Sequence, residues 1–403
     1  MQLRLALRNV LRNRRRTLFS LSVLAVSVTI LFIVLAFQSQ FLLSVRTSLA
    51  CETGAVQVAD ERLFENTAEG YEYLIGPEQL EQVRAMVVDS DGVTGVTWRL
   101  DFAGLVGDET GSTLLLGRGI VPCNCVQPYE CTVIQGEPLA EGAAREVILG
   151  RGLARRLNVA AGDRINVATG TVTGNFNAAT VDVIGELAYG VEAVEEQLGL
   201  FPIEFVQRLL KTDGVERVLI SLGNLDDAAA FAASLEQRLG EAGLPLVTRT
   251  WEELNSSYES IRSFYTAFSG LAAICIFVFV FFSVLEVLTI SFLERTREVG
   301  TVRALGVPRG RVFRSFVLEG ITLGALGAPA GVILGTAVVL VFNALGVQWT
   351  PPGAAMPQGL VLTIRPSVVI VPLLLAIVAT LVSALYPSWK SARETIVDAL
   401  RSV

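Results

Sequence analysis

The sequence predicts an α-helical membrane protein with four transmembrane helices and a large α+β extracytoplasmic domain, a split βαβ unit carrying an inserted, mostly-β subdomain. Three observations predict it. Four apolar segments are each long enough to cross a bilayer, arginines gather beside them on one side, and the acidic stretch between the first two alternates strand and helix patterns. The chain has 403 residues, 52% of them apolar before its 36 glycines are counted, and only 18% charged. Soluble domains carry roughly 25% charged residues. It has no histidine, which excludes Ser-His-Asp and Cys-His catalysis and His-ligated metals. Its two lysines, Lys211 and Lys390, follow Leu210 and Trp389, so neither closes a G-x-x-x-x-G-K-[ST] loop and the chain cannot itself be a Walker-type ATPase.

The elements follow in chain order. Residues 1–16 place Arg4, Arg8 and Arg12 on one helical face and Leu3, Leu7, Val10 and Leu11 on another. This suits an amphipathic helix lying in the membrane interface; a plain orientation signal is the alternative. Residues 17–45 form the first span, 29 residues without a charge. A hydrocarbon core about 30 Å thick needs roughly 20 apolar residues. With no Ala-x-Ala site after it, the segment reads as a permanent anchor rather than a signal peptide.

Residues 46–262 are the extracytoplasmic domain. Gly54–Asp60 alternates as a strand, Pro77–Val88 reads as a helix with Glu78 and Glu81 in its first turn, and Gly95–Val106 reads as a strand. A β-rich insertion over about 107–190 contains STLLLGRGIV, REVILG, DRINVATG and NAATVDVIGEL, with a helix at Arg151–Leu157. Helix (Pro202–Lys211), strand (Arg217–Ser221), helix (Leu225–Gly240) and strand (Pro245–Thr248) follow. A βαβ pattern at each end thus encloses the insertion. Cys51, Cys123, Cys125 and Cys131 all fall here. An oxidising compartment favours disulfides, with Cys51 joined to one of the other three, since a Cys123–Cys125 ring is strained. A four-thiolate metal site is the sharper alternative, and free thiols the third. The domain's acids read as a solvated surface.

Residues 263–293 form the second span, interrupted by one acid, Glu286. Intramembrane acids face the bundle interior or water and often function, so Glu286 is a candidate for coupling or gating unless it lies near the interface. Residues 294–315 form a charged loop, and residues 316–345 the third span, where Gly320, Gly324, Gly327, Gly331 and Gly335 share a face. Small residues let helices approach closely in lipid, within one chain or across a dimer or gate. Residues 346–365 form an external loop, 366–386 the fourth span and 387–403 a tail. The terminal segments and the 294–315 loop together hold 15 basic and 4 acidic residues, whereas 46–262 holds 16 basic and 33 acidic. Lys and Arg are retained in the cytoplasm, so both termini are expected inside and the large domain outside.

The run Glu294-Arg295-Thr-Arg297-Glu298-Val-Gly300-Thr-Val-Arg303-Ala304-Leu305-Gly306-Val closely resembles the ERTREIG-x-x-RALG signature of FtsX-like ABC transporter permeases. The stretches Ala6–Thr17 and Tyr386–Arg401 match that family too, and Gly150–Val167 resembles the periplasmic core domain of its MacB and LolC/LolE branch. The family often has Asn where Glu286 stands, and the Cys123–Cys131 cluster belongs to none of its motifs. The resemblance implies that Glu294–Gly306 is a coupling helix docking on an ATPase; Val299, Val302 and Leu305 add apolar contacts, and Gly306 with Pro308 ends the helix. It implies a non-catalytic permease subunit in the bacterial inner membrane. ATP and Mg²⁺ are bound by a separate ATPase subunit dimer, because MacB proper carries its ATPase fused ahead of the first span. A second permease copy or paralogue, membrane lipid, and a lipoprotein or periplasmic adaptor are the further partners; nucleic acid is not one. The implied activity is extrusion or release of a lipoprotein or other amphiphile from the outer leaflet or periplasm. The alternatives are a non-transporting mechanotransmitter acting on cell-wall hydrolases and a MacB-like efflux component.

Overall fold

A computed structural model describes residues 14–65, 67, 70–88, 90–107, 111–121, 133–139, 142, 144–188, 192–349 and 358–393. The expected interfacial helix, except its last three residues, Cys123, Cys125, Cys131 and the tail beyond 393 lie outside these. In chain order the main elements are α1 (Arg14–Thr53), β1 (Val56–Ala59), α2 (Pro77–Val87), β2 (Val93–Gly107), β3 (Ser112–Ile120), β4 (Val133–Gly136), β5 (Glu146–Gly150), α3 (Arg151–Leu157), β6 (Arg164–Gly170), β7 (Phe176–Ala188), β8 (Leu198–Pro202), α4 (Ile203–Leu210), β9 (Arg217–Leu222), α5 (Ala228–Glu241), β10 (Val247–Thr250), α6 (Ser256–Ala304), α7 (Arg309–Ala344) and α8 (Pro366–Arg393). The chain divides into two units: an α/β domain, Ser44–Ser260 with Gln348–Gln358, and a helical unit, Met1–Leu43, Ile261–Val347 and Gly359–Val403.

In the α/β domain the terminal strands lie in the order β10-β1-β9-β2, all antiparallel. With α2 between β1 and β2, and α5 between β9 and β10, this is the split βαβ arrangement. Pro77 opens α2, its missing N–H harmless in the first turn. The Gln79 side chain accepts the Gly76 N–H at 3.1 Å, capping that turn. Ala228, Ala232, Leu235 and Leu239 recur at helical spacing and form the buried face of α5. Arg238 Nη1 donates to Met86 O at 2.8 Å, tying α5 to α2.

The β-rich part continues the same sheet. The junction lies inside β2, at Arg99, rather than near residue 107: Val93–Arg99 pair with β9, and Arg99–Gly107 pair with β3. One long alternating strand therefore serves both parts. β8 has no alternation because all five of its residues are buried, so only its pairing with β3 and β5 marks it as a strand. β4, likewise unpredicted, is a four-residue strand on β7.

At the start of the domain, Arg46 of α1 pairs with Asp226 at 2.5 Å and lies 5.4 Å over the Trp251 ring. Trp251 is buried and meets Tyr258 of α6 edge-on, ring centroids 4.8 Å apart. Arg46, two turns before the end of α1, and Tyr258, in the first turn of α6, thus share one aromatic anchor. Cys51, in the last turn of α1, is disulfide-bonded, whereas Cys275 of α6 is free.

Among the described residues, four helices are long and apolar enough to cross a membrane. Each turns large apolar groups outward, among them Phe264, Leu271 and Phe282 of α6 and Ile333 and Val341 of α7, as lipid-facing helices do. α1 has 40 residues and α6 has 49, about 60 and 73 Å at 1.5 Å per residue, well beyond the hydrocarbon thickness of about 30 Å. The expected coupling-helix loop, 294–315, holds the end of one helix and the start of the next. α6 runs unbroken to Ala304, a turn covers Leu305–Pro308, and α7 begins at Arg309. Gly306 (φ +94°) donates to Arg303 O at 3.0 Å and Val307 to Val302 O at 3.4 Å, a Schellman stop that needs a residue free to take positive φ.

Candidate functional site

The end of α6 has two faces. Thr296, Gly300 and Arg303, spaced i, i+4, i+7, are buried. Glu294, Arg297, Glu298, Ala304 and Leu305 are exposed, Leu305 at 82% and Val302 at 44%. Arg303 was expected on the docking surface; at 9% exposure it is on the inner face, because seven residues bring it back beneath Thr296 after two helical turns. Val299 also turns inward, against Val312 and Phe316. What remains outside is a strip of mixed charge ending in two bare aliphatic side chains, on a helix continuous with an apolar span; Arg295 belongs to the same helix. Such a strip offers a protein partner both ion pairing and an apolar anchor.

Glu286 is exposed rather than interior. It borders a cavity of about 270 Å³ between α1 and α6, whose apolar walls include Phe19, Val23 and Ile290, with Ser20 and Ser283 the hydroxyls.

The five α7 glycines are all buried within the unit, against two different helices. A Cβ on Gly320 would meet Ala384 of α8 at 2.6 Å and one on Gly324 would run into Thr380 of α8, whereas one on Gly327, Gly331 or Gly335 would meet Leu24, Ala25 and Val28, or Phe32 of α1. Thr29 Oγ1 donates to Gly331 O at 2.9 Å, a polar bond that this close approach permits. The stripe therefore packs helices of one chain, the internal one of the alternatives that the small-residue spacing leaves open.

The α/β domain, whose acids are expected on a solvated surface, holds a partly buried charge cluster. Arg99 Nε lies 3.2 Å from Asp101 Oδ2, and Arg118 Nε 3.6 Å from Asp101 Oδ1. Glu216 accepts the Asp101 N–H at 3.0 Å and pairs with Arg217 at 2.5 Å. Burial works to raise the Asp101 carboxyl, but Arg99, Arg118 and Arg217 outweigh it and hold its pKa below the ordinary carboxylate value. Burial first, then repulsion from Arg118, lowers Arg99 to about 9. Burial, helped by Glu216, pushes Tyr73 up to about 12 and Tyr71 upward. Tyr71, Tyr73, Asp101 and Arg118 border a cavity of about 450 Å³. The available signal was the alternation Arg99-Leu100-Asp101-Phe102, charged side chains interleaved with core residues in a strand whose far face has partners.

Residues 270–396 match the family described as FtsX-like permease C-terminal. The lipoprotein-releasing system transmembrane protein LolC of Xylella fastidiosa is 24% identical over 374 residues, 88% of this chain and 89% of that protein. The macrolide export ATP-binding/permease protein MacB of Chromobacterium violaceum is 26% identical over 241 residues, 55% of this chain and 37% of that one. Among solved structures, the periplasmic region of MacB from Actinobacillus actinomycetemcomitans aligns with a TM-score of 0.39 at 12% identity, covering 52% of this chain and 94% of that one.

Proposed function

We propose that this chain, an ABC transporter permease of the LolC and MacB type with an FtsX-like C-terminal domain, is the subunit that turns ATP hydrolysis on a separate partner into movement of its α/β domain. The observation carrying this is the continuous α6. Its exposed end bears Glu294, Arg297, Glu298, Val302 and Leu305, and its opposite end begins beside the Trp251 anchor. A push on Leu305 is passed along one hydrogen-bonded rod, since no break lies between Ser256 and Ala304. The arginine-rich ends support an orientation with that tip and both termini on the cytoplasmic side of a bacterial inner membrane and the acidic domain outside. Two such subunits, as identical or paralogous copies, serve one ATPase dimer, which alone binds ATP and Mg²⁺.

The substrate class is amphiphilic, a lipoprotein or similar molecule taken from the outer leaflet. The name of the LolC relative, a lipoprotein-releasing system protein, supports this, as does the apolar groove at Glu286.

The test co-expresses the chain with its ATPase and compares wild type with Glu298→Arg/Leu305→Glu. Both positions are exposed, so the variant should keep its thermal midpoint while co-purification and substrate-stimulated ATP hydrolysis fall about tenfold or more, as for loss of interface anchors. Unchanged assembly and turnover would reject the docking surface.

A further inference from the structure

α8 presents three kinds of residue in order along one exposed face. Val382 and Leu385 come first, then Tyr386 and Trp389, then Lys390 and Arg393. The spacing 382, 385, 389, 393 keeps them on one side of the helix, and Ala384 and Ser388 lie on the buried side. Aliphatic, aromatic and cationic side chains thus succeed one another as the hydrocarbon, interface and headgroup layers of one leaflet do. The Arg393 guanidinium lies 4.3 Å over the Trp389 ring, which holds a charge at the aromatic level.

The start of α7 adds charge at the same depth. α7 and α8 run antiparallel, since Gly320 packs against Ala384 and Gly324 against Thr380. Arg314 stands six residues before Gly320 and Lys390 six after Ala384, so both lie about 9 Å beyond that contact, toward the same end. Arg314, Arg311 and Arg309 are all exposed. Residues 306–318 and 385–393 together hold five cations and no acid. None of the five has an ion pair among the described residues. The first acid of α7, Glu319, is buried, and Glu294 and Glu298 of α6 already have partners of their own. Glu394, next after Arg393, lies outside the described residues.

We propose that these two helix ends form one site for an anionic phospholipid, its phosphate beside Arg314, Lys390 and Arg393 and its acyl chains along Val382 and Leu385. A cluster of this size beside a span attracts acidic headgroups, each cation near the surface adding to the affinity. The exposed strip of α6 carries both signs, Glu294, Arg297 and Glu298, whereas this collar carries one sign and continues a lipid-facing surface. That favours a lipid over the ATPase. The site rests on these helices crossing a bilayer and not on the coupling reading.

The test uses the full chain in detergent without any ATPase, so its outcome is separate from the coupling assay above. Native mass spectrometry follows binding of phosphatidylglycerol and of phosphatidylcholine with the same acyl chains. Phosphatidylglycerol should bind about tenfold more tightly. Arg314→Gln/Arg393→Gln should abolish that preference, and Arg314→Lys/Arg393→Lys, which keeps the charge, should restore it. Arg297→Gln removes a cation from the same end of the spans, on α6, and should leave the preference in place. A phosphatidylglycerol with a photoreactive headgroup should label peptides spanning residues 309–316 and 386–393. Equal affinity for the two lipids, loss of the preference in Arg297→Gln, or labelling confined to other peptides overturns the site. Glycerophosphoglycerol, the head without its chains, should not displace the lipid at equal concentration; displacement assigns the site to a free phosphate ester and overturns the lipid. With the ATPase added, loss of co-purification in Arg314→Gln/Arg393→Gln while the lipid preference stays intact assigns the patch to the ATPase and overturns the proposal as well.

Discussion

The two units of this chain solve the packing problem with different residues. The α/β domain is held by large side chains removed from water, such as Leu100, Leu149, Phe201 and Trp251, each almost fully buried. The helical unit turns many of its large apolar groups outward and brings helices together over Gly320, Gly324, Gly331 and Ala384. The difference follows from the solvent. In water, burying apolar area contributes about 25 cal/mol per Å². In lipid that term vanishes between helices, and close backbone approach takes its place. Charge is handled in opposite ways too. The domain buries Arg99 and Glu216 in a cluster around Asp101, while the end of α6 leaves Glu294, Arg297 and Glu298 exposed.

This contrast can be broken at chosen points. The largest effect is expected in the buried cluster. Asp101→Asn leaves three guanidiniums facing Glu216 and the more exposed Glu52, and removing one partner of a buried pair costs about 3–5 kcal/mol. The Asp101 side chain is 31% exposed, so a loss near about 3 kcal/mol is expected, read by thermal unfolding of the detergent-solubilised chain. Next comes Gly331→Val. Its Cβ would lie 2.6 Å from Ala25 O and from Val28 Cβ, and overpacking of this kind costs about 1–3 kcal/mol. A thermal midpoint equal to wild type would show that α1 and α7 separate freely.

An acid titration sharpens the domain side. The folded-state pKa of Asp101 is lowered, so its contribution to stability is complete above the unfolded value of about 3.9 and is lost as pH falls through the lower folded value. Wild type should therefore show an acid limb that Asp101→Asn lacks, and identical pH profiles would remove the carboxylate from the account. The smallest effect is expected at Gly270, where an added Cβ meets nothing within 4 Å. Gly270→Ala should leave stability within about 0.5 kcal/mol, apart from a small gain in helix propensity. A loss comparable to that of Gly331→Val would contradict the division between packed and lipid-facing glycines.

Elements set by local pattern were legible. The strand expected over Arg217–Ser221, the helix Arg151–Leu157 and the Gly306–Pro308 stop needed only neighbours in sequence. The strand β8 was not, because burial on both sides erases its period. At the end of α6, composition announced a mixed-charge surface, but not that Arg303 lies beneath it.

The sequence alone determined the four spans, the charge asymmetry between them, the split βαβ order and the place where α6 ends, since each follows from residue type at a fixed local period. Only the tertiary structure decided that Asp101 stands opposite Arg118, that Gly324 meets α8 while Gly331 meets α1, and that Leu114 and Leu116 remain open beside a cavity. Those facts depend on strand register and helix crossing, which bring together residues far apart in the chain.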